Sequence, residues 1–599
     1  MACRALKVAV VTAALLTLAV SAAPAEVAFD GVAAGDPSAS DVILWARAEN
    51  GGSPTELKAQ IATDAFFANI VETRTGATSA AADFTVKLPA TDLASNTRYF
   101  YRFLAPDGSA SATGQFTTAP APDEKVEVRF AFSGDADGRF RPYPSIRAIA
   151  EHKLNYFVFI GDTMYETADL ASRAVPVVTG ETTDAAALAN ALTAYNQKYL
   201  NNVLGADPTG RPSNSGQQSL QPMFAATAAY TLLDNHELGN RSLQSGGAPP
   251  NAPQGTPDSA FDVNNTGNFN NKTLAFQTIE KSYLDYHPTR VAILGAPATG
   301  YALVGPQVTA PSDPRSNGTP QLYFAQRWGA NTIYVQADDR SYRDIRLAKL
   351  AGNRTIDDVG RRAENPERTM LGSTQLQWLE ATFLQAQWGG IRWKFVAISS
   401  PIDQVGGAPV QDGKSWWGGY RSERDRLLRF IADNRIGHVV FLTTDDHQTR
   451  VTQLQYLTDP GNANSKALLT DGFQVVTGPI GAGGPDKFVD HSFAAIQMAA
   501  NRANERPVGQ GQPPLGLPAT FPGLHAVFRQ GDPDAAATPS PVDFYSPDTF
   551  NYTVLTVAAD GALTVETWGI PSYPENTFPR SAPAPSLILG FQIGLTDGQ

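Results

Sequence analysis

Acidic side chains and histidines follow five apolar segments of the chain, each at the point where the segment ends. An uncharged run of aromatic and β-branched residues that stops abruptly is typical of a buried strand. The clearest run, Tyr156 to Ile160, is followed by Gly161 and Asp162. The five groups of candidate residues are Asp135 with Asp137, Asp162 with Tyr165, Asn235 with His236, Asp338 with Arg340, and Asp445 with His447.

Carboxylates gathered at this density repel one another unless cations lie between them. We therefore predict a site for two or more metal ions, with Asp162 as the bridging ligand, because a carboxylate can hold two cations close together. Asp135 and Tyr165 are expected on one side, and Asn235, through its amide oxygen, on the other. The predicted metal ligands are Asp135, Asp137, Asp162, Tyr165, Asn235, Asp445 and His447.

Three further side chains are candidates for contacts with a substrate. His236 directly follows Asn235 at a strand end, so the two side chains diverge, and we expect His236 to donate a proton instead of binding the same ion. Arg340 and Arg343 are candidates for holding an anionic group, since a guanidinium fork matches phosphate, and Arg340 is also assigned a catalytic role. A solvated surface charge is the alternative for each arginine.

The elements that position these residues alternate between strand and helix from residue 126 onwards. A strand–helix–strand unit predicts a parallel sheet that binds ligands at the carboxyl ends of its strands. We therefore expect the five groups to converge on one crevice at the edge of a single sheet. Helices are predicted over residues 144–152, 184–201, 273–286, 373–385 and 422–434.

The rest of the chain divides into regions of different composition. Residues 26–120 alternate between apolar and polar positions and contain turns such as Gly35-Asp36-Pro37, which predicts a small β-sandwich. A catalytic domain is predicted over residues 125–580, followed by a C-terminal tail over 581–599. Residues 246–271, rich in Gly, Pro and Asn, predict a long surface loop that could cover the site.

The first 25 residues are predicted to be a secretory signal. Arg4 and Lys7 precede an apolar run that ends in Ala23-Pro24-Ala25, and the run is short for a membrane span. No later run reaches spanning length, so we expect no membrane span after cleavage. The only cysteine, Cys3, lies in this signal, so the mature chain has no disulfide or thiolate ligand. We expect a secreted or periplasmic protein.

The net charge of the chain bears on whether it binds nucleic acid. The chain of 599 residues carries a formal net charge of −12, which argues against specific or non-specific nucleic-acid binding. A local basic pocket for a small anion is compatible with that balance. The sequence does not indicate an oligomeric state.

Several blocks of the chain carry a family resemblance. Gly161-Asp162-x-x-Tyr165-Glu166, Asp234-Asn235-His236-Glu237 and the late Asp445-x-His447 resemble the calcineurin-like metallophosphoesterases. Within them the chain is similar to the alkaline phosphatase D (PhoD-like) branch, with further blocks at residues 31–47, 338–343, 419–424 and 441–447 in the family order. The resemblance implies an α+β fold, an α-β-β-α metallophosphoesterase sandwich, preceded by a small all-β domain of the fibronectin III or immunoglobulin type.

The chain departs from the family pattern in its ligands. Asp135 stands where the family often has a cysteine, and the late block reads Thr-Asp-Asp-His instead of Gly-Asp-Val-His. Asp445 stands where the wider superfamily has a histidine. An oxygen-rich set favours hard ions, so we expect Fe³⁺ and/or Ca²⁺, with Zn²⁺, Mg²⁺ or Mn²⁺ as alternatives.

We interpret the sequence as a secreted, metal-dependent phosphoesterase that hydrolyses phosphate mono- or diesters of small molecules. Two other functions stay open: a hydrolase of a non-phosphate ester that uses the same metals, and a cell-surface binding protein whose metals are structural. A nucleophilic triad fits poorly, because no Gly-x-Ser-x-Gly elbow follows a predicted strand. Hydrolysis of a chromogenic phosphodiester, with and without a chelator, separates these functions.

Overall fold

The computed structural model of the protein describes residues 26–166, 175–203, 220–239, 243, 270–295, 316–344, 363–403, 416–459, 465–484, 491–509, 514–533, 541–575 and 583–595. The predicted secretory signal and nearly all of the predicted loop over 246–271 lie outside these residues. No helix within the described ranges has the length and apolar character needed to cross a membrane.

The described strands are β1 Ala28–Gly35, β2 Val42–Glu49, β3 Glu56–Ala62, β4 Ile70–Ala77, β5 Thr85–Ala90, β6 Arg98–Leu104, β7 Gly114–Thr117, β8 Val128–Ser133, β9 Tyr156–Ile160, β10 Ala229–Leu232, β11 Ala292–Ile293, β12 Pro320–Gln321, β13 Phe324–Trp328, β14 Thr332–Gln336, β15 Trp393–Ala397, β16 Val439–Thr443, β17 Thr449–Leu457, β18 Ala467–Val476, β19 Leu524–Arg529, β20 Tyr545–Ser546, β21 Thr549–Val557, β22 Leu563–Pro571 and β23 Ser586–Ile593. The described α-helices are α1 Ala185–Val203, α2 Gln221–Ala226, α3 Leu274–Tyr286, α4 Ser373–Trp388, α5 Arg421–Asp433 and α6 Phe493–Gly509.

The N-terminal region is a sandwich of two antiparallel layers. One layer has the order β4-β3-β6-β7, and the other consists of β1, β2 and β5. Their facing side chains, including Leu44, Ile61 and Tyr101, form one core. The second layer does not stop at the sandwich, because β1 pairs with β10 at Gly35 and Ala229 and so continues into a ten-stranded sheet.

Two large sheets form the centre of the rest of the molecule. The ten-stranded sheet has the order β19-β23-β22-β21-β8-β9-β10-β1-β2-β5, in which β8, β9 and β10 run parallel. The seven-stranded sheet has the order β13-β14-β15-β16-β18-β17-β20, with β14, β15, β16 and β18 parallel. Phe130 and Tyr156 of the first sheet pack against Tyr334 and Phe395 of the second.

Alternation along β9 shows why the sheets stack in this way. Tyr156 and Val158 face the second sheet, whereas Phe157 and Phe159 face helices α1 and α3 on the outside. Helix α3 begins after Thr273, whose hydroxyl accepts a hydrogen bond from a backbone amide in the first turn. Helices α4 and α5 cover the outer face of the seven-stranded sheet in the same way. The fold is therefore the predicted helix–sheet–sheet–helix sandwich.

Three sequence predictions differ from the structure. The five polar groups lie on two sheets, not one. Strands β14 and β16 both pair with β15 in the seven-stranded sheet, whereas β10 belongs to the ten-stranded sheet. The helix predicted over 144–152 is two short 3₁₀ turns, Pro144–Ile146 and Ile149–His152, because Ala148 between them is not helical. The segment predicted as a tail contains β23, which pairs with both β19 and β22.

Candidate metal centre

The polar groups meet where the carboxyl ends of both parallel strand sets come together. Loops after β8, β9 and β10 approach from the ten-stranded sheet, and loops after β14, β15 and β16 approach from the seven-stranded sheet. The Thr444 hydroxyl after β16 donates to the Ile160 carbonyl of β9 at 2.7 Å, which joins the two edges directly. The loops that carry the predicted residues thus come together between two sheets and not within one.

Three buried carboxylates form the centre of this region. Asp135, Asp162 and Asp234 each place one oxygen so that all three oxygens lie within 4.8 Å of one another. Burial raises the pKa of all three groups. Neighbouring carboxylates raise the pKa of Asp162 further, whereas Arg340 opposes the rise in the pKa of Asp234. The Asp234 Oδ2 atom is buried and has no hydrogen-bond partner among the described residues. An acceptor left open among like charges fits a cation.

The backbone near the carboxylates adopts a left-handed conformation that is uncommon for residues other than glycine. Asp135, Asp162, Asp445 and His447 all have positive φ, between 53° and 64°. Such residues cost free energy of order 1–3 kcal/mol each and persist where the surrounding structure holds them. Four such residues, from three different strand ends, therefore surround the carboxylate cluster.

Glu237 holds two of these loops together. One of its carboxylate oxygens accepts from the amide nitrogens of Asp162 at 2.8 Å and Asp234 at 2.7 Å. The other accepts from the amide of Thr163 at 2.6 Å and from its hydroxyl at 2.8 Å. Two of the three carboxylates of the cluster, Asp162 and Asp234, are therefore positioned by one fully buried side chain.

Tyr165 and His447 meet Asp135 on one side of the cluster. The His447 Nε2 atom lies 3.2 Å from Asp135 Oδ1 and 3.1 Å from the Tyr165 hydroxyl, while Nδ1 contacts the Gly483 carbonyl oxygen at 2.6 Å. Burial disfavours the imidazolium, but the Asp135 carboxylate outweighs it, and the pKa of His447 rises to about 9. Burial also raises the pKa of Tyr165. Three predicted ligands from three loops therefore converge.

His236 lies next to Asp162 and packs against the ring of Tyr165. Its amide donates to Asp162 Oδ1 at 3.0 Å, and its Nε2 atom lies 3.9 Å from Asp162 Oδ2. The Nδ1 atom contacts the Glu166 carboxylate, and the ring lies 3.9 Å from that of Tyr165, centroid to centroid. Because Nδ1 is engaged by Glu166, the ring is oriented with Nε2 towards the cluster.

Arg340 is buried among the carboxylates and does not face open space. Its Nε atom lies 2.5 Å from Asp234 Oδ1, and its Nη2 atom contacts Asp445. Ser399 accepts from Arg340 Nε at 3.1 Å, and the Trp416 indole donates to the same Asp445 oxygen at 2.6 Å. These carboxylates raise the pKa of Arg340 above its usual range although burial opposes this. The guanidinium balances part of the negative charge.

Three other predicted residues are Asp137, Asn235, which directly follows Asp234 in the chain, and Arg343. Asp137 accepts hydrogen bonds from the Arg139 amide at 2.9 Å and from its Nε at 2.8 Å, so its carboxylate is paired there. Asn235 is partly exposed and has helical backbone angles, φ −67° and ψ −34°. Arg343 is fully buried, and burial lowers its pKa to about 10. The structure does not place Arg343 at an open anion-binding surface.

The sequence analysis missed residues that the structure brings to the centre. Asp234 follows β10 by two residues, and its carboxylate was passed over in favour of its neighbour Asn235. Glu237, Glu166 and Trp416 were also missed as braces of the site. A signal was available for Asp234, since it is the first acidic residue after a buried strand. None was available for Trp416, which reaches Asp445 from a distant loop.

Comparisons with known proteins match two regions of the chain. The family model of the PhoD-like phosphatase matches residues 130–511, and that of the PhoD-like phosphatase N-terminal domain matches residues 15–120. Alkaline phosphatase D of Bacillus subtilis (strain 168) is 27% identical over 444 residues, which are 71% of this chain and 65% of that protein. The chain thus spans slightly less than two thirds of this relative's length.

A solved structure of PhoD has the same fold. It superposes with a TM-score of 0.62 at 21% sequence identity, covering 94% of this chain and 89% of that one. The resemblance and the fold class predicted from the sequence are confirmed. Since the first family model covers more than half of the chain, the protein belongs to the PhoD-like phosphatase family.

Proposed function

We propose that the protein is a metal-dependent phosphoesterase that acts outside the cytoplasm on small-molecule phosphate mono- or diesters at a binuclear centre. One observation carries this proposal: Asp135, Asp162 and Asp234 place three buried carboxylate oxygens within 4.8 Å, and Asp234 Oδ2 has no hydrogen-bond partner in the described part of the chain. Membership of a phosphatase family and the signal-like residues 1–25 support the reaction class and the location.

The proposed ligands fall into two sets that share Asp162. Asp135, Tyr165 and His447 form the first set, and Asp234 joins Asn235 in the second. When bound there, the cations would supply Lewis-acid stabilisation of charge on the phosphate group. The donors are mainly oxygen atoms, so hard ions such as Fe³⁺ or Ca²⁺ remain our proposal, with Zn²⁺, Mg²⁺ and Mn²⁺ as the alternatives.

His236 is proposed as the proton donor to the leaving group. Glu166 orients the ring through Nδ1, and Nε2 stands at the edge of the cluster, 3.9 Å from Asp162 Oδ2. The side chain is 12% exposed, so the ring is largely shielded from bulk solvent. A proton held at this atom is positioned for transfer to an oxygen of a phosphoester beside the carboxylates.

Arg340 is proposed to act on the cluster more than on the substrate. With its side chain 1% exposed and in contact with Asp234 and Asp445, it neutralises and orients these carboxylates. A direct contact with phosphate would require a guanidinium that is free to form a fork with two oxygens. The same argument removes the buried Arg343 from the surface that a substrate reaches first.

The test is an assay of the purified protein with three nitrophenyl substrates, a phosphodiester, a phosphomonoester and an acetate ester. We expect hydrolysis of at least one phosphoester, loss of it in excess chelator, and recovery on adding back metal. Hydrolysis of the acetate alone would support the non-phosphate esterase. Bound metal without hydrolysis of any of the three would support the binding protein.

A further inference from the structure

A serine from the seven-stranded sheet holds Asp234, a carboxylate that comes from the ten-stranded sheet. Asp234 follows β10, whereas Ser399 follows β15, and the Ser399 Oγ atom lies 2.9 Å from Asp234 Oδ1. Both side chains are fully buried, so water does not compete for this contact. The contact occupies Oδ1 and leaves Oδ2, which has no hydrogen-bond partner in the described chain, as the oxygen for a cation.

The serine is itself held by a buried carboxylate, Asp339. Asp339 Oδ1 lies 2.7 Å from Ser399 Oγ, and Oδ2 accepts a hydrogen bond from the Ser400 amide at 3.0 Å. Asp339 is 1% exposed and follows β14, the strand that pairs with β15. Because the carboxylate contacts the turn after β15 at two points, Ser399 has little freedom to rotate away from Asp234.

The hydroxyl of Ser399 has more acceptors around it than it has protons. A serine hydroxyl donates one hydrogen bond and accepts two. Arg340 Nε donates to Ser399 Oγ at 3.1 Å, while Asp234 and Asp339 both present oxygens to the single hydroxyl proton. A hydrogen-bond donor in place of the Asp339 oxygen would therefore direct that proton to Asp234.

We propose that Ser399 is a positioning residue of the metal centre and that Asp339 keeps it in place. This inference rests on the proposed function, because it assigns Asp234 to one of the two cations. The hydrogen-bond partners of a ligating carboxylate fix its orientation, and loss of one costs roughly 10–100-fold in metal affinity. Ser399 therefore sets the affinity for the ion that Asp234 binds, and the affinity for the other ion does not depend on it.

The test is titration of the metal-free full chain with Mn²⁺, in which the electron paramagnetic resonance signal counts the free ion. We expect the parent protein to bind two ions. Ser399→Ala should bind one of them roughly 10–100-fold more weakly and the other unchanged. Ser400→Ala is the matched control, because Ser400 is adjacent and equally buried but its hydroxyl has no hydrogen-bond partner among the described residues. Both affinities should stay unchanged in this control.

Two changes at Asp339 separate the hydrogen bond from the charge. Asp339→Asn and Asp339→Ala remove the same negative charge, so any loss of affinity due to charge alone is equal in both. The asparagine amide can still donate to Ser399 Oγ and accept from the Ser400 amide, whereas alanine can do neither. We therefore expect the weaker ion to bind at least about tenfold more tightly to Asp339→Asn than to Asp339→Ala.

Three outcomes would overturn the inference while leaving the proposed function in place. The first is the same pair of affinities in the parent and in Ser399→Ala, and the second is the same pair in the two Asp339 variants. The third is equal weakening of both ions in Ser399→Ala with a lower melting temperature in chelator, because the serine would then support the fold. A parent protein that binds no Mn²⁺ would contradict the proposed function, and this inference with it.

Discussion

Two buried charge clusters lie near each other in this molecule, and they are built differently. At the metal centre, Asp135, Asp162 and Asp234 crowd together with Arg340 as the one arginine that contacts a member of this trio in the described residues. Near the start of β17, Arg450 contacts Asp403 through Nε at 2.6 Å and Nη2 at 3.1 Å and also contacts Asp446.

The Arg450 cluster shows how buried charges pair within the protein, and the carboxylate trio shows how they look where a cation is proposed to bind. In the Arg450 cluster the guanidinium contacts both carboxylates, so an added cation has no role there. In the metal centre, one Asp234 oxygen is left without a partner in the described chain, and like charges raise the pKa of Asp162. The first arrangement pairs its carboxylates within the protein, whereas we propose that a bound cation completes the second.

The largest expected effect comes from Asp162→Asn. We expect the variant to lose bound metal and to lose activity by more than the ~10–100-fold that changes to outer-shell partners cause. In excess chelator, however, it should melt at a higher temperature than the parent, because burial and neighbouring carboxylates make Asp162 costly to ionise. Elemental analysis, turnover of a nitrophenyl phosphodiester and calorimetry check the three outcomes.

Asp137→Asn is the matched control for this experiment. Its carboxylate is as buried as that of Asp162 but is paired with Arg139, so metal content should stay close to that of the parent. Full metal content in the Asp162 variant would remove it from the ligand set. Loss of metal in the control would return Asp137 to that set, as the sequence analysis predicted.

His236→Ala is expected to have the next largest effect. Metal content should stay near normal, while turnover falls by ~10²–10⁴, the usual contribution of general acid–base catalysis. The loss should be greater for an alkyl phosphoester than for a nitrophenyl one, because nitrophenolate leaves without a proton. Equal losses for both substrates, or loss of a metal ion, would contradict the role as proton donor.

Arg450→Met tests the other half of the comparison. The change removes the guanidinium contact of two buried carboxylates, Asp403 and Asp446, which should cost about 3–5 kcal/mol of the free energy of unfolding. Urea denaturation measures this loss, and added metal should not restore it. A variant rescued by metal would mean that both clusters are ligand sites and that the distinction fails.

The sequence predicted the strands well because each is a short apolar run between turns. Tyr156–Ile160 has the predicted bounds. It could not predict the division into two sheets, since strand neighbours depend on contacts between distant segments. Nor could it predict that Arg340 is enclosed by Asp234 and Asp445, because its sequence context does not differ from that of a surface arginine.

Within the carboxylate cluster, the direction of each side chain decided which residues could be predicted from the sequence. Asp162 was predicted from its place after β9, and the structure places it in the cluster. Asp234 was passed over because the direction of a side chain after a strand depends on the turn that follows. That turn is held by Glu237, which accepts from the Asp234 amide, and such a bond leaves no trace in spacing or composition.

Glu423 is a buried carboxyl that is neutralised by a proton, and not by a cation or a guanidinium. Its substitution is expected to give the smallest change of those predicted here. Burial raises its pKa to about 7 from 4.5, although amides of Met370 and Leu371 hold it at 2.9 Å. Between these pH values the unfolded chain releases the proton and the folded chain keeps it, so the free energy of unfolding falls as pH rises.

Glu423→Gln removes this titration. The stability of the variant relative to the parent should therefore increase from pH 4.5 to pH 8, by at most about 3 kcal/mol. Urea unfolding at both pH values measures it, with the exposed Glu367→Gln as the control. An equal difference at both pH values would mean that Glu423 is neutralised by a partner and not by a proton, as in the Arg450 cluster.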